Sequence, residues 1–464
     1  MGWRAPGPPP LSRVALGPVE RRRPARLPQR RTWADLLSSL RRRSATVRRP
    51  RDGRSTAGGL SEMRILWVKV GGLWPLNTGG RLRSFHMISE LARRHRVTLL
   101  TTHRPGEDPR ELATRLSSCE RVVSFPYAPA KHESWRFALA VLRSWVSTLP
   151  ADLWKWRVAP LRAEAVRLVK AREVDLCVAD FLLAIPNVQL RGPVPVLFFE
   201  HNVEHTIWQR LWQVETRWWR RPLLAVEWRK MRRYEARACR RSTVTIAVSE
   251  TDRALLAAGA PSASVFAVPT GVDVAYFAPN GRAEVPGHLV FTGSMDWYPN
   301  EDAIVYFLET ILPLVRREMS GVSLTIAGRN PSPRVLRAAG QAGVKITGTV
   351  DDIRPYIAEA AVYVVPLRVG GGTRLKIFEA LAMAKAVVST PVGAEGLPLQ
   401  PGEHFLRAED PAEFARAVTS LLRDPARRRA LGAAGRRLVE ERYSWARVAR
   451  EFEAKCEEAF TNAS

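Results

Sequence analysis

Short apolar runs alternate with longer amphipathic stretches along the chain from Met63 onward. An apolar run of about four to eight residues has the length of a buried strand, whereas an apolar residue at every third or fourth position is typical of a helix. Their regular alternation is typical of βαβ units with parallel strands. In the first half it predicts a helix over Gly80–Arg94 and strands at Ile65–Val70, Val97–Thr102, Arg121–Phe125, Leu176–Ala179, Val196–Glu200 and Val244–Ala247.

The alternation starts again in the second half of the chain. It predicts a helix over Asp302–Met319 and strands at His288–Thr292, Ser323–Ala327, Val344–Thr347, Val362–Pro366 and Ala386–Ser389. Because 464 residues exceed one ordinary hydrophobic core, we expect two cores with a cleft between them. We predict an α/β fold of two Rossmann-like domains with parallel sheets, at residues 63–272 and 286–440, followed by a helix at residues 441–460.

Residues 1–62 differ from the rest of the chain in composition. Fifteen arginines and many prolines lie there, with little apolar surface to offset the entropy lost on ordering. Met63 is followed directly by the first predicted strand. We expect residues 1–62 to form a disordered basic tail, and the position of Met63 favours the hypothesis that translation starts there.

Charge and cysteine content narrow the classes of function. The formal net charge is +27, but only nine of the 72 basic residues are lysine, which indicates a general preference for arginine more than a nucleic-acid surface. No apolar run approaches the roughly 18 residues that cross a bilayer. The four cysteines lack metal-binding or redox spacing, so we expect buried thiols in a reducing cytoplasm.

The most informative segment is the turn Gly370-Gly371-Gly372-Thr373-Arg374, between a predicted strand and a helix. Glycines let the backbone approach a ligand, and the amides at the start of the helix favour an anion such as a diphosphate. Arg374 and Lys376 add positive charge, and Glu379 could accept two hydrogen bonds from a ribose diol. The spacing also allows Lys376 and Glu379 to be an ordinary surface pair.

The run from Gly371 to Ala382, followed by Ala386–Gly396, resembles the donor-binding block of family 4 glycosyltransferases, which have the GT-B fold. Other segments resemble the family's motifs in the family's order: Val268-Pro269-Thr270-Gly271-Val272-Asp273, Phe291-Thr292-Gly293-Ser294-Met295 and Ile326-Ala327-Gly328-Arg329. The resemblance extends from Met63 to about Phe460.

For the donor side, the resemblance implies a nucleotide-sugar site made of Gly293, Ser294, Arg329, Gly371, Gly372, Thr373, Arg374, Lys376 and Glu379. Two family features are absent. The first of the family's paired glutamates falls at Gly371, and Ser294 and the residues after it replace an Arg and a Lys. We predict that Arg374, with Lys376 and Arg329, neutralises the leaving diphosphate instead.

Two loops of the first domain are candidates for the acceptor side. Glu200-His201-Asn202 follows a predicted strand at its carboxyl end, where open parallel sheets bind ligands. The resemblance implies that His201 lies beside the transferred sugar and is catalytic, together with Arg374 and Glu379. The structural alternative is a histidine that caps a helix or packs in a polar loop. The loop from Trp74 to Arg83 resembles the family's cleft-lining loop, in which Gly79 and Gly80 would let the backbone approach the donor's phosphate or the acceptor. Arg83 could hold an anionic acceptor group, and Asn202 is also expected on the acceptor side.

The resemblance further implies a metal-independent transfer with retention of anomeric configuration. The nucleotide sugar is then the donor substrate, and no cofactor or metal site is expected. A saccharide or a lipid-linked acceptor of an exopolysaccharide pathway would be the second substrate. From the cysteines we expect a cytoplasmic protein, and the tryptophan- and arginine-rich stretch of the first domain makes the inner face of the cell membrane a candidate location.

Alternatives to this interpretation stay open. The stretch from Lys131 to Arg241 is rich in tryptophan and arginine, which is typical of helices on anionic membranes, although aromatic stripes also pack cores. An anionic membrane surface is therefore a candidate partner, whereas nucleic acid is not expected. An NAD-dependent enzyme is disfavoured because no G-x-G-x-x-G follows the first strand. The missing glutamate leaves room for a non-catalytic membrane- or nucleic-acid-binding protein on the same scaffold.

Overall fold

The structure of the chain is a computed structural model that describes residues 62–76, 78–129, 144, 147–369 and 375–461. The predicted α/β architecture of two parallel sheets is confirmed. The predicted tail at residues 1–62 lies outside the described residues except for Glu62. The first sheet has the order β3-β2-β1-β4-β5-β6-β7. Its strands are β1 Arg64–Lys69, β2 Arg96–His103, β3 Arg121–Pro126, β4 Leu176–Asp180, β5 Val196–Phe199, β6 Val244–Ala247 and β7 Val265–Ala267.

The second sheet has six strands in the order β10-β9-β8-β11-β12-β13. The strands are β8 His288–Thr292, β9 Ser323–Ala327, β10 Val344–Gly348, β11 Val362–Val365, β12 Ala386–Ser389 and β13 Leu406–Arg407. In both sheets the central strands are buried except for the first residue of β1 and of β8, because helices cover both faces. The sequence pattern did not predict the short edge strands β7 and β13.

Helices connect the strands in each lobe. Those of the first lobe are α1 Gly79–Leu91, α2 Pro109–Arg115, α3 Ala151–Trp154, α4 Ala159–Lys170, α5 Glu204–Val214, α6 Arg221–Arg241 and α7 Glu250–Gly259. Those that follow are α8 Tyr298–Tyr306, α9 Leu312–Glu318, α10 Pro333–Ala338, α11 Arg354–Glu359, α12 Leu375–Ala382, α13 Pro411–Arg423, α14 Pro425–Arg442 and α15 Trp445–Thr461. No helix in the described part of the chain is both long enough and apolar enough to cross a bilayer.

The strand order of each sheet reverses direction at one place, between β1 and β4 in the first and between β8 and β11 in the second. At such a point the loops leaving neighbouring strands turn to opposite faces and open a crevice. Ligands of open α/β sheets bind there, beyond the carboxyl ends of the strands. The two switch points therefore mark where a site is expected in each lobe.

The chain passes between the lobes twice, at adjacent places. Val272 donates its backbone N–H to the carbonyl of Tyr443 over 2.8 Å and forms a parallel bridge with Ser444. After the second passage, α15 returns to the first lobe and packs in its core. There Phe452 contacts the rings of Trp67 and Phe199, with ring centroids 5.7 and 5.0 Å apart.

Candidate active site

A buried cluster of charges lies at the switch point of the first sheet. The register pairs Lys69 with Asp180 at the carboxyl ends of β1 and β4, and His201 follows the neighbouring strand β5. Lys69 Nζ lies 3.1 Å and His201 Nε2 3.0 Å from Asp180 Oδ1, while the indole of Trp67 donates to Oδ2 over 2.7 Å. Residues two apart in a strand share a face, so Trp67 and Lys69 reach the same carboxylate.

Electrostatics fix the charge states in this cluster. Burial alone would raise the pKa of the Asp180 carboxyl, but Lys69 and His201 outweigh burial and hold that pKa well below its usual range. Burial lowers the pKa of His201 to about 4, because it outweighs the attraction of Asp180. At neutral pH the cluster therefore contains an ionised Asp180 carboxylate and a neutral His201 imidazole.

The imidazole of His201 is held by aromatic rings. The rings of Phe199 and Phe181 lie 4.5 and 5.5 Å from it. Its Nε2 lies within ion-pair distance of Asp180 Oδ1, at 3.0 Å. His201 is thus a packed histidine at the carboxyl end of a strand, and no helix begins at it, since α5 begins at Glu204.

The beginning of α1 lies close to residues of both lobes. Thr78 caps this helix through a hydrogen bond from the backbone N–H of Arg81. A methyl group added to Gly80 would lie 3.3 Å from His201 Nδ1, and one added to Gly79 would lie 3.6 Å from Leu375 Cδ1 in the other lobe. A side chain at Gly80 would therefore require His201 to shift by a few tenths of an ångström, whereas the distance from Gly79 to α12 is an ordinary van der Waals contact.

Arg83 and Asn202 occupy different surroundings. Arg83 is 6% exposed, and its Nε donates to Thr270 Oγ1 over 2.8 Å at the passage between the lobes. Burial lowers the pKa of Arg83 to about 10, although Asp180 and Asp252 attract its charge. Asn202 is half-buried beside His201 and hydrogen-bonds the carboxylate of Glu204. An acceptor role for these two residues stays a prediction.

Carboxylates surround the segment that follows β5. Glu200 is 1% exposed, and burial together with Glu235 and Glu204 raises its pKa well above the usual range. Burial and Glu235 likewise raise the pKa of Glu204 to about 8. Glu235 of α6 accepts the backbone N–H of Glu204 over 2.7 Å and also contacts His205. These contacts fix the beginning of α5 on α6 next to His201.

At the switch point of the second sheet, four of the predicted donor residues lie together. Arg329 Nε donates to Ser294 Oγ over 2.8 Å, and Lys376 Nζ donates to Asn300 Oδ1 over 2.7 Å. Asn300 in turn donates to the backbone carbonyl of Ser294 over 2.8 Å. A methyl group on Gly293 would lie 2.6 Å from Asn300 Nδ2, so this position has room only for glycine.

Glu379 lies one turn into α12, on the side of Tyr363. Its carboxylate keeps some contact with solvent but is largely surrounded by protein. Burial raises the pKa of Glu379 to about 7, although Lys376 opposes the rise. Lys376 extends to Asn300 and lies 4.3 Å from the ring centre of Phe291, so it faces the switch point.

Part of the predicted donor site cannot be described. Gly371, Gly372, Thr373 and Arg374 belong to the segment 370–374, which lies outside the described residues. Their roles stay predictions, as do the catalytic roles of His201 and Glu379.

Sequence reasoning missed Lys69, Asp180 and Asn300. The available signals were a lysine and an aspartate at the ends of otherwise apolar strands, where a buried charge requires a partner. Asn300 lies in the segment after Ser294, where the family's cations were sought and not found. Its amide links Lys376 to the backbone at Ser294.

Two facing Rossmann-like lobes, with strand ends and helix starts meeting at a cleft, define a protein of the GT-B architecture. A family model described as Glycosyltransferase Family 4 matches residues 79–276, and one described as Glycosyl transferases group 1 matches residues 286–424. The chain belongs to family 4 of the glycosyltransferases.

The chain is similar in sequence to curated proteins over part of their length. Over 139 residues the chain is 29% identical to an uncharacterised 44.6 kDa protein in the cps region of Klebsiella pneumoniae, covering 28% of this chain and 36% of that protein. Over 227 residues it is 30% identical to a GDP-mannose-dependent alpha-(1-6)-phosphatidylinositol monomannoside mannosyltransferase of Mycobacterium tuberculosis, covering 44% of this chain and 58% of that protein. The matched regions thus span between about a third and three fifths of these relatives.

Solved structures share the fold. A sucrose-phosphate synthase from Thermosynechococcus elongatus superimposes with a TM-score of 0.63 at 17% identity, over 86% of this chain and all of that one. Anabaena HepE in complex with UDP superimposes with a TM-score of 0.60 at 12% identity, over 85% of this chain and all of that one. At these identities the likeness supports the GT-B fold.

Proposed function

We propose that this chain is a retaining, metal-independent glycosyltransferase that moves a hexose from a nucleotide-sugar donor to a saccharide or lipid-linked acceptor. One observation carries the proposal: the start of α1 approaches both His201 of the first lobe and Leu375 at the start of α12 in the second. This proximity of the His201 loop to the helix that carries Lys376 and Glu379 supports the proposal, because a group transfer requires two substrates bound side by side.

The proposed roles follow from the charges. Lys376, held by Asn300, and Arg329, held by Ser294, supply fixed positive charge where a nucleoside diphosphate would leave. Arg374 is the third cation in the proposal. Glu379 accepts hydrogen bonds from the ribose, and the neutral imidazole of His201 faces the transferred sugar.

The names of the relatives favour a class of acceptor but no particular sugar or acceptor molecule. The mycobacterial relative is by its name GDP-mannose-dependent and acts on a phosphatidylinositol mannoside, and the Klebsiella relative belongs to a cps region. These names favour a lipid-linked or polysaccharide acceptor here. A cytoplasmic location at or near the membrane is part of the proposal and rests on the sequence alone.

A screen of nucleotide sugars by thermal unfolding tests the donor. A ligand that binds only the folded state stabilises it by about 2.7 kcal/mol at a hundred times its Kd, so the correct donor raises the Tm. Lys376→Met is expected to abolish the shift, whereas Lys345→Met, which removes an exposed lysine in β10, retains it. A chain that no nucleotide or nucleotide sugar stabilises would contradict the proposal.

Turnover then distinguishes an enzyme from a binding protein. With the stabilising donor and a saccharide or lipid-linked acceptor, we expect release of nucleoside diphosphate in the presence of a chelator, and NMR of the product reports the anomeric configuration. The second candidate, a non-catalytic binder, is favoured by the glycine at position 371. It predicts donor binding without turnover.

A further inference from the structure

The outer face of α5 and α6 exposes an unusual concentration of large apolar side chains. Of the thirteen large hydrophobic residues exposed in the described part of the chain, six lie in this pair of helices and the turn between them. They are Ile207, Leu211, Trp218, Trp219, Leu223 and Val226. Trp218 is 85% exposed and Trp219 is 54% exposed. Such a patch on a soluble surface marks an interaction site.

The exposed charges of the same helix pair have one sign. Among the described side chains from Glu204 to Arg241, every exposed charged residue is an arginine. They are Arg210, Arg217, Arg221, Arg229, Arg232, Arg233, Arg237, Arg240 and Arg241. The acids of α6 face inward instead, where Glu227 accepts the backbone N–H of Ala151 over 2.8 Å and Glu235 accepts that of Glu204. A general preference for arginine does not explain this separation, because it would not turn the acids inward.

The two helices form one rigid unit under this face. The indoles of Trp212 and Trp228 stack with centroids 5.3 Å apart and an interplanar angle of 7°. The guanidinium of Arg221 lies 5.6 Å from the ring of Trp212. Because these contacts bind α5 to α6, the exposed apolar residues are held in place without help from a partner.

We propose that this face, defined by Ile207 to Arg233, docks on an anionic lipid bilayer. Tryptophan prefers the headgroup region, where its ring is apolar and its N–H is solvated, and arginines around it attract anionic lipid. The proposal stands whether or not the chain transfers sugar.

Other occupants fit the surface less well. A second copy of the chain meeting this face through a two-fold axis would bring arginines against arginines. Nucleic acid would use the arginines but leaves Ile207, Leu211 and Val226 without a partner. An anionic bilayer would contact both the apolar side chains and the arginines.

Docking would also orient the candidate active site. The loop that carries His201 runs directly into α5, and Glu235 fastens the beginning of α5 to α6. The docking face and the loop that carries His201 are therefore held rigidly together. An acceptor embedded in the same bilayer would reach the first lobe already confined near the membrane plane, which raises its effective concentration.

Co-sedimentation of the full chain with vesicles tests the proposal. One set of vesicles is phosphatidylcholine, and in the other a third of the lipid is phosphatidylglycerol. We expect binding to the anionic vesicles that weakens at about 0.5 M salt, where the Debye length is roughly 4 Å. Trp218→Ser with Trp219→Ser should reduce the partition coefficient at least tenfold, and Arg217→Ser with Arg221→Ser about fivefold per arginine.

Matched substitutions control for surface changes elsewhere and for the basic tail. Leu336→Ser with Arg334→Ser alters an exposed leucine, 52% accessible, and an exposed arginine on α10 of the other lobe, and should bind vesicles like the unaltered chain. All variants retain residues 1–62, so binding through the tail would leave the Trp218 and Trp219 variant unaffected and overturn the proposal. Absence of vesicle binding, or loss of only self-association or RNA binding in that variant, would overturn it as well.

Discussion

Asp180 joins two basic side chains where water does not reach. Its carboxylate contacts Lys69 and His201, and all three are less than 7% exposed. Removing one member of a buried pair leaves an uncompensated charge, which costs far more than losing a surface pair. The same two strands carry a surface pair at their other ends, between Arg64 and Asp175, which offers a comparison within one molecule.

Asp180→Asn should therefore lower the free energy of unfolding by about 3 to 5 kcal/mol, because Lys69 stays buried without its counter-ion. Asp175→Asn, whose partner Arg64 keeps 43% of its side chain exposed, should cost about 1 kcal/mol or less. Urea denaturation at pH 7 measures both. The folded-state pKa of Asp180 is depressed, so its contribution is present above the unfolded pKa of about 4 and is lost as the pH falls below that value. Equal costs for the two variants would contradict the assignment.

The pKa of Glu379 is raised, whereas that of Asp180 is lowered. Because burial raises its pKa to about 7, the unfolded carboxyl ionises at a lower pH than the folded one, and stability falls as the pH rises from about 4 to 7. Donor binding, if it uses the carboxylate as an acceptor, should strengthen over pH 6 to 8. Glu379→Gln should stabilise the chain at pH 8 and weaken nucleotide binding by roughly tenfold or more. Thermal unfolding and nucleotide titration across pH 6 to 8 separate the two effects, and an unchanged pH profile of binding would refute the ribose role.

Motifs along the sequence predicted some residues of the candidate site but not the buried Asp180. Gly293, Ser294, Arg329 and Lys376 were predicted as one group from motifs in order, and the structure brings them together. A motif search could not find Asp180, because Lys69 and His201 lie on or next to other strands. No single motif in the sequence reveals that these strands are neighbours in the sheet.

At the scale of elements, buried strands were the easiest to predict. Val244–Ala247 and His288–Thr292 have the predicted bounds, since a fully buried parallel strand is a continuous apolar run. The strands β7 and β13 have only three and two residues, so they show too little pattern to detect. The predicted helix Asp302–Met319 instead contains a π-helical turn at Phe307–Ile311, between α8 and α9.

The last helix, α15, is an element whose effect reaches the candidate site. Phe452 contacts Phe199, which in turn contacts His201. Phe452→Ala should cost about 3 to 5 kcal/mol and also reduce turnover at a temperature where the chain is folded. Phe414→Ala opens a similar cavity in the second lobe, where Phe414 contacts Phe307, and should cost as much without that loss. Parallel losses of turnover in both variants would argue against the link to His201.

At the scale of the whole molecule, the cleft narrows where Gly79 faces Leu375. In the proposed function, the substrates bind between the lobes at this place, so fixing the distance between Gly79 and Leu375 should stop the reaction. We expect a short bifunctional maleimide to cross-link Gly79→Cys with Leu375→Cys and to abolish turnover, whereas each single variant treated in the same way stays active. The extent of cross-linking is read by mass spectrometry, and full turnover in the cross-linked chain would rule out entry at this place.

The position of α15 also has a consequence for synthesis on the ribosome. The hydrophobic interior of the first lobe includes Trp445, Val448 and Phe452, which are translated after the entire second lobe. At roughly 5 to 20 residues per second, the interval between the synthesis of β7 and that of α15 is about 9 to 36 seconds. The lobe that is made first is therefore completed last, and its nascent form exposes the groove that α15 later fills.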